Sequence, residues 1–273
     1  MEISLPEIRD KIVLRLHYYW NKLVRRNALR DPIFIVGCGH SGTSLLLRML
    51  GTHSSIYAIP YESSAALRSE RRFRKSLQHF DMLAIAGNKF RWAEKTPKHI
   101  CHLEKILAVR PHSKILLIVR DGRDVASSIK DRTGSLEQGI LRWRDDNLAG
   151  KEFWCHPNVH VLRYENLISD PEAVLHKIIT FIGETYEPDI LKCHEAPKYY
   201  YAKTIEKPPS AFGEHHEQYR NWQINQPLFD GSGRWKQMSI AELDLIDSVA
   251  GDLLREFHYT VATPLNAAAL KIE

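Results

Sequence analysis

Between Ile33 and Leu50 a β-branched and aromatic run breaks into glycines and hydroxyls, then resumes as an apolar pattern of helical spacing. Ile33-Phe34-Ile35-Val36 predicts a buried strand, Gly37 to Ser44 a tight loop, and Leu45, Leu46, Met49 and Leu50 the inner face of a helix. Two further runs repeat the arrangement. Lys114 to Val119 and Val159 to Leu162 each read as a strand that gives way to a polar turn and a helical pattern. Strands alternating with helices imply an α/β fold with a P-loop-like central parallel sheet flanked by helices in a single domain. The charge-rich segments Ser69 to Gln78 and Leu136 to Leu148, and Ile240 to Phe257, have the spacing of helices that cover such a sheet.

The loop Gly37-Cys38-Gly39-His40-Ser41-Gly42-Thr43-Ser44 satisfies two phosphate-binding patterns at once. As GxGxxG it suggests a dinucleotide site, with Glu62 placed where a ribose-binding acid is expected. As GxxxxG it ends in Thr-Ser and lacks the lysine of a nucleotide kinase. Both patterns rest on the same physics: glycines let N–H groups turn toward an anion, and the following helix adds its positive end. The loop therefore predicts an oxyanion site without naming its ligand.

A second anion element follows the second strand. Arg120 stands at its carboxyl end, Asp121 is placed to cap a new helix, Asp124 falls near the third helical position, and Ser128 lies two turns in. An arginine fork and a hydroxyl converging there recognise a phosphate away from the first loop, and Arg132 one turn later is placed to join them.

A basic residue followed by Ser-Gly-Thr-Ser is the 5′-phosphosulfate loop of the sulfotransferases that use 3′-phosphoadenosine 5′-phosphosulfate (PAPS), and His40 to Ser44 resembles it with histidine in place of the usual Lys or Arg. Arg120 to Ser128 is similar to that family's 3′-phosphate motif. Gly231-Ser-Gly-Arg234-Trp235-Lys236 resembles its late cluster over the adenosine phosphate, and Arg163-Tyr164-Glu165 its Tyr-Glu segment. The resemblance runs from about Pro32 to Lys236, closest in motif style to the carbohydrate, tyrosylprotein and bacterial branches. It implies PAPS as co-substrate, PAP as product, no metal, and Gly39, His40, Ser41, Gly42, Thr43, Ser44, Arg120, Ser128, Tyr164, Arg234, Trp235 and Lys236 as the cofactor-binding set. It also implies in-line sulfuryl transfer to a hydroxyl with Glu62, in Pro60-Tyr-Glu-Ser63, as general base and His99 as its rival. His40 and Lys95, the latter in Glu94-Lys-Thr-Pro97, are the donor-side candidates. A P-loop kinase, a Rossmann-type protein and a non-catalytic binder remain as alternatives.

The remainder of the sequence bounds the setting. Hydrophobic residues at 44% and charged residues at 26% are those of a soluble globular protein, and the net charge of +5 suggests an anionic ligand or surface. No nucleic-acid partner is expected. Four widely spaced cysteines, an N-terminus without a signal pattern and the lack of a long apolar run point to the cytoplasm. Residues 1–31 read as an amphipathic basic helix that packs on the core or contacts a membrane surface or partner, and 32–273 as the sulfotransferase domain. Residues 196–233, rich in proline and tyrosine, read as a lid or substrate loop. The acceptor is left open among small molecule, glycan, lipid and peptide.

Overall fold

The computed structural model describes residues 29–209 and 215–259, together with Val13 and Leu16. The predicted N-terminal helix over 1–31 otherwise lies outside the described residues, save for 29–31. Strands β1 (Ile33–Gly37), β2 (Ile56–Ala58), β3 (Arg91–Lys95), β4 (Lys114–Val119) and β5 (Val159–Arg163) form one parallel sheet in the order β2-β3-β1-β4-β5. The helices are α1 (Thr43–Leu50), α2 (Glu70–Ala86), α3 (Leu103–Val109), α4 (Gly122–Thr133), α5 (Leu136–Lys151), α6 (Tyr164–Ser169), α7 (Pro171–Ile182), α8 (His216–Gln223) and α9 (Ile240–Glu256).

Both sheet faces are covered, so the central strands are apolar throughout rather than alternating with polar residues. Phe34 and Val36 of β1 join Phe73 of α2, Trp143 of α5 and Leu254 of α9. Ile33 and Ile35 join Leu46 of α1 and Ile178 of α7 on the other face. Truncating a fully buried ring such as Phe34 to alanine costs about 3–5 kcal/mol. Local signals set the helix starts: Asp170 caps α7 ahead of Pro171, and Ser239 and Glu242 form a capping box on α9.

Three elements depart from the sequence reading. β2 has three residues, too few for a period to register. β3 carries Arg91, Glu94 and Lys95 and so offers no apolar run to mark it as a strand, yet all five of its residues are buried. The charges are tolerated because each has a partner. Arg91 lies 3.4 Å from Glu184, Glu94 accepts from Ser63 Oγ at 2.7 Å and Thr96 Oγ1 at 2.6 Å, and Lys95 meets Glu62. Within 196–233 the chain also forms α8, which a segment so rich in proline and aromatics concealed.

The topology fixes where a ligand belongs. After β1 the chain turns to the β2–β3 side, and after β4 it turns to β5 on the other side, so the outgoing loops diverge beside β1 and β4. Such a switch point opens a crevice at the carboxyl ends of the strands.

Candidate active site

The loop leaving β1 turns through two left-handed residues, His40 at φ 70° and Gly42 at φ 92°. Gly42 is required twice over. Its φ is strained for other residues, and a Cβ there would lie 2.6 Å from the Tyr164 ring. The loop runs directly into α1 and thereby presents the positive end of that helix. Cys38 within it is fully buried, and burial, reinforced by the charge of Asp146, pushes its thiol far up, so it is no nucleophile.

Arg120 at the end of β4 reaches back to this loop. Its guanidinium donates to the His40 carbonyl at 2.9 Å and to the Gly231 carbonyl at 2.5 Å, and it lies 4.3 Å over the Tyr164 ring. Ser128 Oγ is 2.9 Å from His40 Nδ1. The histidine of the first anion element is therefore bonded to the serine of the second. Asp121 caps α4 as its position predicted, accepting from Arg123 N. Asp124 does more than complement the helix dipole: it accepts from Gly233 N at 2.8 Å and Trp235 N at 3.1 Å and so docks the late glycine turn against α4.

These elements enclose a cleft of about 410 Å³. Gly39, His40, Gly42, Thr43, Ser44, Glu62, Arg120, Ser128, Tyr164 and Arg234 line it, as does Arg132. Four predicted residues stand elsewhere. Ser41 is buried beneath the loop, Lys95 is fully buried, Trp235 stacks on Arg123 at 3.6 Å, and Lys236 is not part of the lining.

Glu62 sits where three segments meet. It pairs with Lys95 of β3 at 2.5 Å and with Arg220 of α8. Arg220 also donates to Ser44 Oγ at 3.3 Å and lies 4.1 Å over the Tyr201 ring, whose hydroxyl donates to the same Ser44 oxygen at 3.2 Å. Burial alone would push the Glu62 carboxyl up, but the charges of Lys95 and Arg220 and their hydrogen bonds override it and hold it at about 2. His99, the rival base, is fully buried away from the cleft. Its Nε2 accepts from Ala66 N and its Nδ1 lies 3.0 Å from Glu94. Two cations that sequence reasoning missed, Lys98 and Arg142, also line the cleft, held by the buried Asp146. Among the described residues no cluster of His, Cys, Asp or Glu has the arrangement of a metal site, and no helix is long and apolar enough to cross a membrane.

A family model described as "Sulfotransferase family" matches residues 32–188, more than half of the chain. The chain belongs to the sulfotransferase family. Its sheet and helices superpose on the sulfotransferase domain of the curacin biosynthetic pathway with a TM-score of 0.57, 17% identity and coverage of 86% of this chain and 99% of that one. A mouse sulfotransferase complexed with PAP gives a TM-score of 0.57, 18% identity and coverage of 82% and 85%. In sequence, an Aquifex aeolicus protein described as uncharacterized is 24% identical over 238 residues, which cover 72% of this chain and 30% of that protein. The chain thus spans less than a third of that relative's length. Within this sulfotransferase fold the motif residues were legible because they cluster in sequence, whereas Arg220, Lys98 and Arg142 reach the cleft only through tertiary contacts.

Proposed function

We propose that the cleft binds PAPS and that the protein transfers its sulfuryl group to a hydroxyl acceptor. One observation carries this reading: the two anion elements face a single cleft and are joined through His40, by Ser128 on its ring and Arg120 on its carbonyl. A nucleotide with separate 5′ and 3′ anions requires two such elements, and a dinucleotide fold has no use for the second. Arg120, which lines the cleft, has no partner for its Nε among the described residues, which leaves hydrogen-bonding capacity at the second element.

In this reading the N–H groups of the loop, with α1 behind them, bind the 5′ end, and Arg120, Ser128 and Arg234 bind the 3′-phosphate. PAPS supplies the sulfuryl group and departs as PAP. Transfer of this kind depends on positioning and on fixed positive charge, and the cleft provides both. Glu62 takes the proton of the acceptor hydroxyl. Lys95, whose ammonium is spent on Glu62 and lies 5.0 Å over the Tyr201 ring, orients that carboxylate rather than facing the donor. A carboxylate held at about 2 is ionised but weakly basic at neutral pH. Arg220 must therefore release Glu62 as the acceptor enters.

The test is transfer from sulfur-labelled PAPS to a panel of hydroxyl acceptors. Glu62→Gln is expected to lower turnover by about 10²–10⁴ while leaving PAP affinity unchanged. Transfer that survives in this variant contradicts the role of Glu62, and a wild-type protein that binds ATP with Mg²⁺ but not PAP contradicts the function.

A further inference from the structure

A second concavity, of about 330 Å³, lies on the far side of the loop that carries Glu62. Its wall is a stripe of cations: Arg72 and Lys75 on the exposed face of α2, and Arg68 two residues before that helix begins. Arg72 and Lys75, three residues apart, share one side of the helix. Tyr61, 39% exposed, and the buried Phe80 form its apolar floor, their rings 6.4 Å apart.

No acid lines this groove. Glu70, the nearest on α2, pairs with Arg74 on the adjoining side, and Asp81 is turned inward to the indole of Trp92 and to Arg110. Arg72 and Lys75 have no ion pair among the described residues. Arg68 donates to the Ser63 carbonyl at 3.0 Å, which fastens the stripe to the loop whose next face presents Glu62 to the cleft. A concave surface of one sign over an apolar floor concentrates anions.

We propose that this groove binds the anionic part of the acceptor, and that the acceptor is an acidic oligosaccharide whose reacting hydroxyl reaches Glu62 around the Tyr61–Ser64 loop. The inference rests on the proposed sulfuryl transfer. An extended peptide is disfavoured because the main-chain N–H groups from Ser63 to Ala66 beside the groove are already bonded. Ser63 N and Ser64 N are spent on Glu94 and Thr96, Ala65 N on Ser63 Oγ and Ala66 N on His99. What remains for recognition is side-chain charge and an exposed aromatic ring, which suit carboxylate- or sulfate-bearing sugars. A lipid surface would require a flat or convex face.

The test measures binding of three probes to the full chain: an oligosaccharide of alternating uronic acid and N-acetylhexosamine, a neutral oligosaccharide of equal length, and a polyglutamate peptide. Arg72→Ser with Lys75→Ser is compared with Arg71→Ser with Arg74→Ser, which removes the same charge outside the groove. The acidic sugar is expected to bind wild type at least tenfold more tightly than either other probe. The groove pair should lose at least tenfold and the control pair less than twofold. Equal losses in the two pairs, tighter binding of the peptide, or no binding of the acidic sugar at low salt overturns the proposal. PAP binding by the same variants is a separate readout: if wild type binds the sugar in the groove but not PAP, the groove stands and the sulfuryl-transfer reading fails.

Discussion

Glu62, the proposed base, is held ionised by Lys95 and Arg220, at a cost to its basicity. A base works in its deprotonated form, so rate falls as pH drops through its pKa. Arg220→Ala removes one of the two charges that hold the carboxyl at about 2, so the acid limb of the kcat/KM profile, which reports the free enzyme, is expected to move to higher pH, with Arg220→Lys restoring it. An unchanged limb means that Arg220 does not act on Glu62. His99 belongs to the fold. The Glu94 carboxyl, which burial alone would push up, is held below 4.5 by His99, Thr96 and Ser63. That stabilisation is present above pH 4.5 and is lost as pH falls through the lowered value. His99→Ala leaves Glu94 buried without the hydrogen bond from the imidazole and is expected to cost about 1.5–3 kcal/mol at neutral pH, read by denaturant unfolding, with turnover per folded molecule retained. A loss of turnover at intact stability would return His99 to the chemistry. The sequence named both candidates. It left them unranked by geometry, because only packing shows that one faces a cleft and the other a strand.

At the scale of elements, the strands at 33–36, 114–119 and 159–162 were legible because apolar runs of that length between helical patterns belong inside a two-sided sheet. β3 was not legible. Its charges are balanced by Glu184, Ser63 and Glu62, residues distant in sequence, besides the neighbouring Thr96, and no local pattern reports the distant partners. The late turn at Gly231–Trp235 likewise depends on a distant residue, Asp124. Asp124→Ala deprives two main-chain N–H groups of a carboxylate, interactions worth about 1.5–3 kcal/mol each. Part of that loss is expected to appear as roughly tenfold weaker PAP binding by calorimetry, since the turn brings Arg234 to the cleft and Gly231 to Arg120. Unchanged PAP affinity means that the turn is not part of the nucleotide site.

For the whole molecule, the strand order places the β1 loop and the end of β4 side by side, and this makes one cleft of two motifs separated in sequence. The motifs themselves announced the anions, and the fold supplies their adjacency. The direct test is the affinity of the metal-free protein for PAP against adenosine 5′-phosphosulfate, in wild type and in Ser128→Ala. Wild type is expected to favour PAP, the ligand with a 3′-phosphate, and the variant to lose about 10–100-fold for PAP with little change for the other, the loss of one charge-assisted hydrogen bond. Equal losses for both ligands, or a wild type that binds neither, would contradict a cleft built to hold both anions of PAPS.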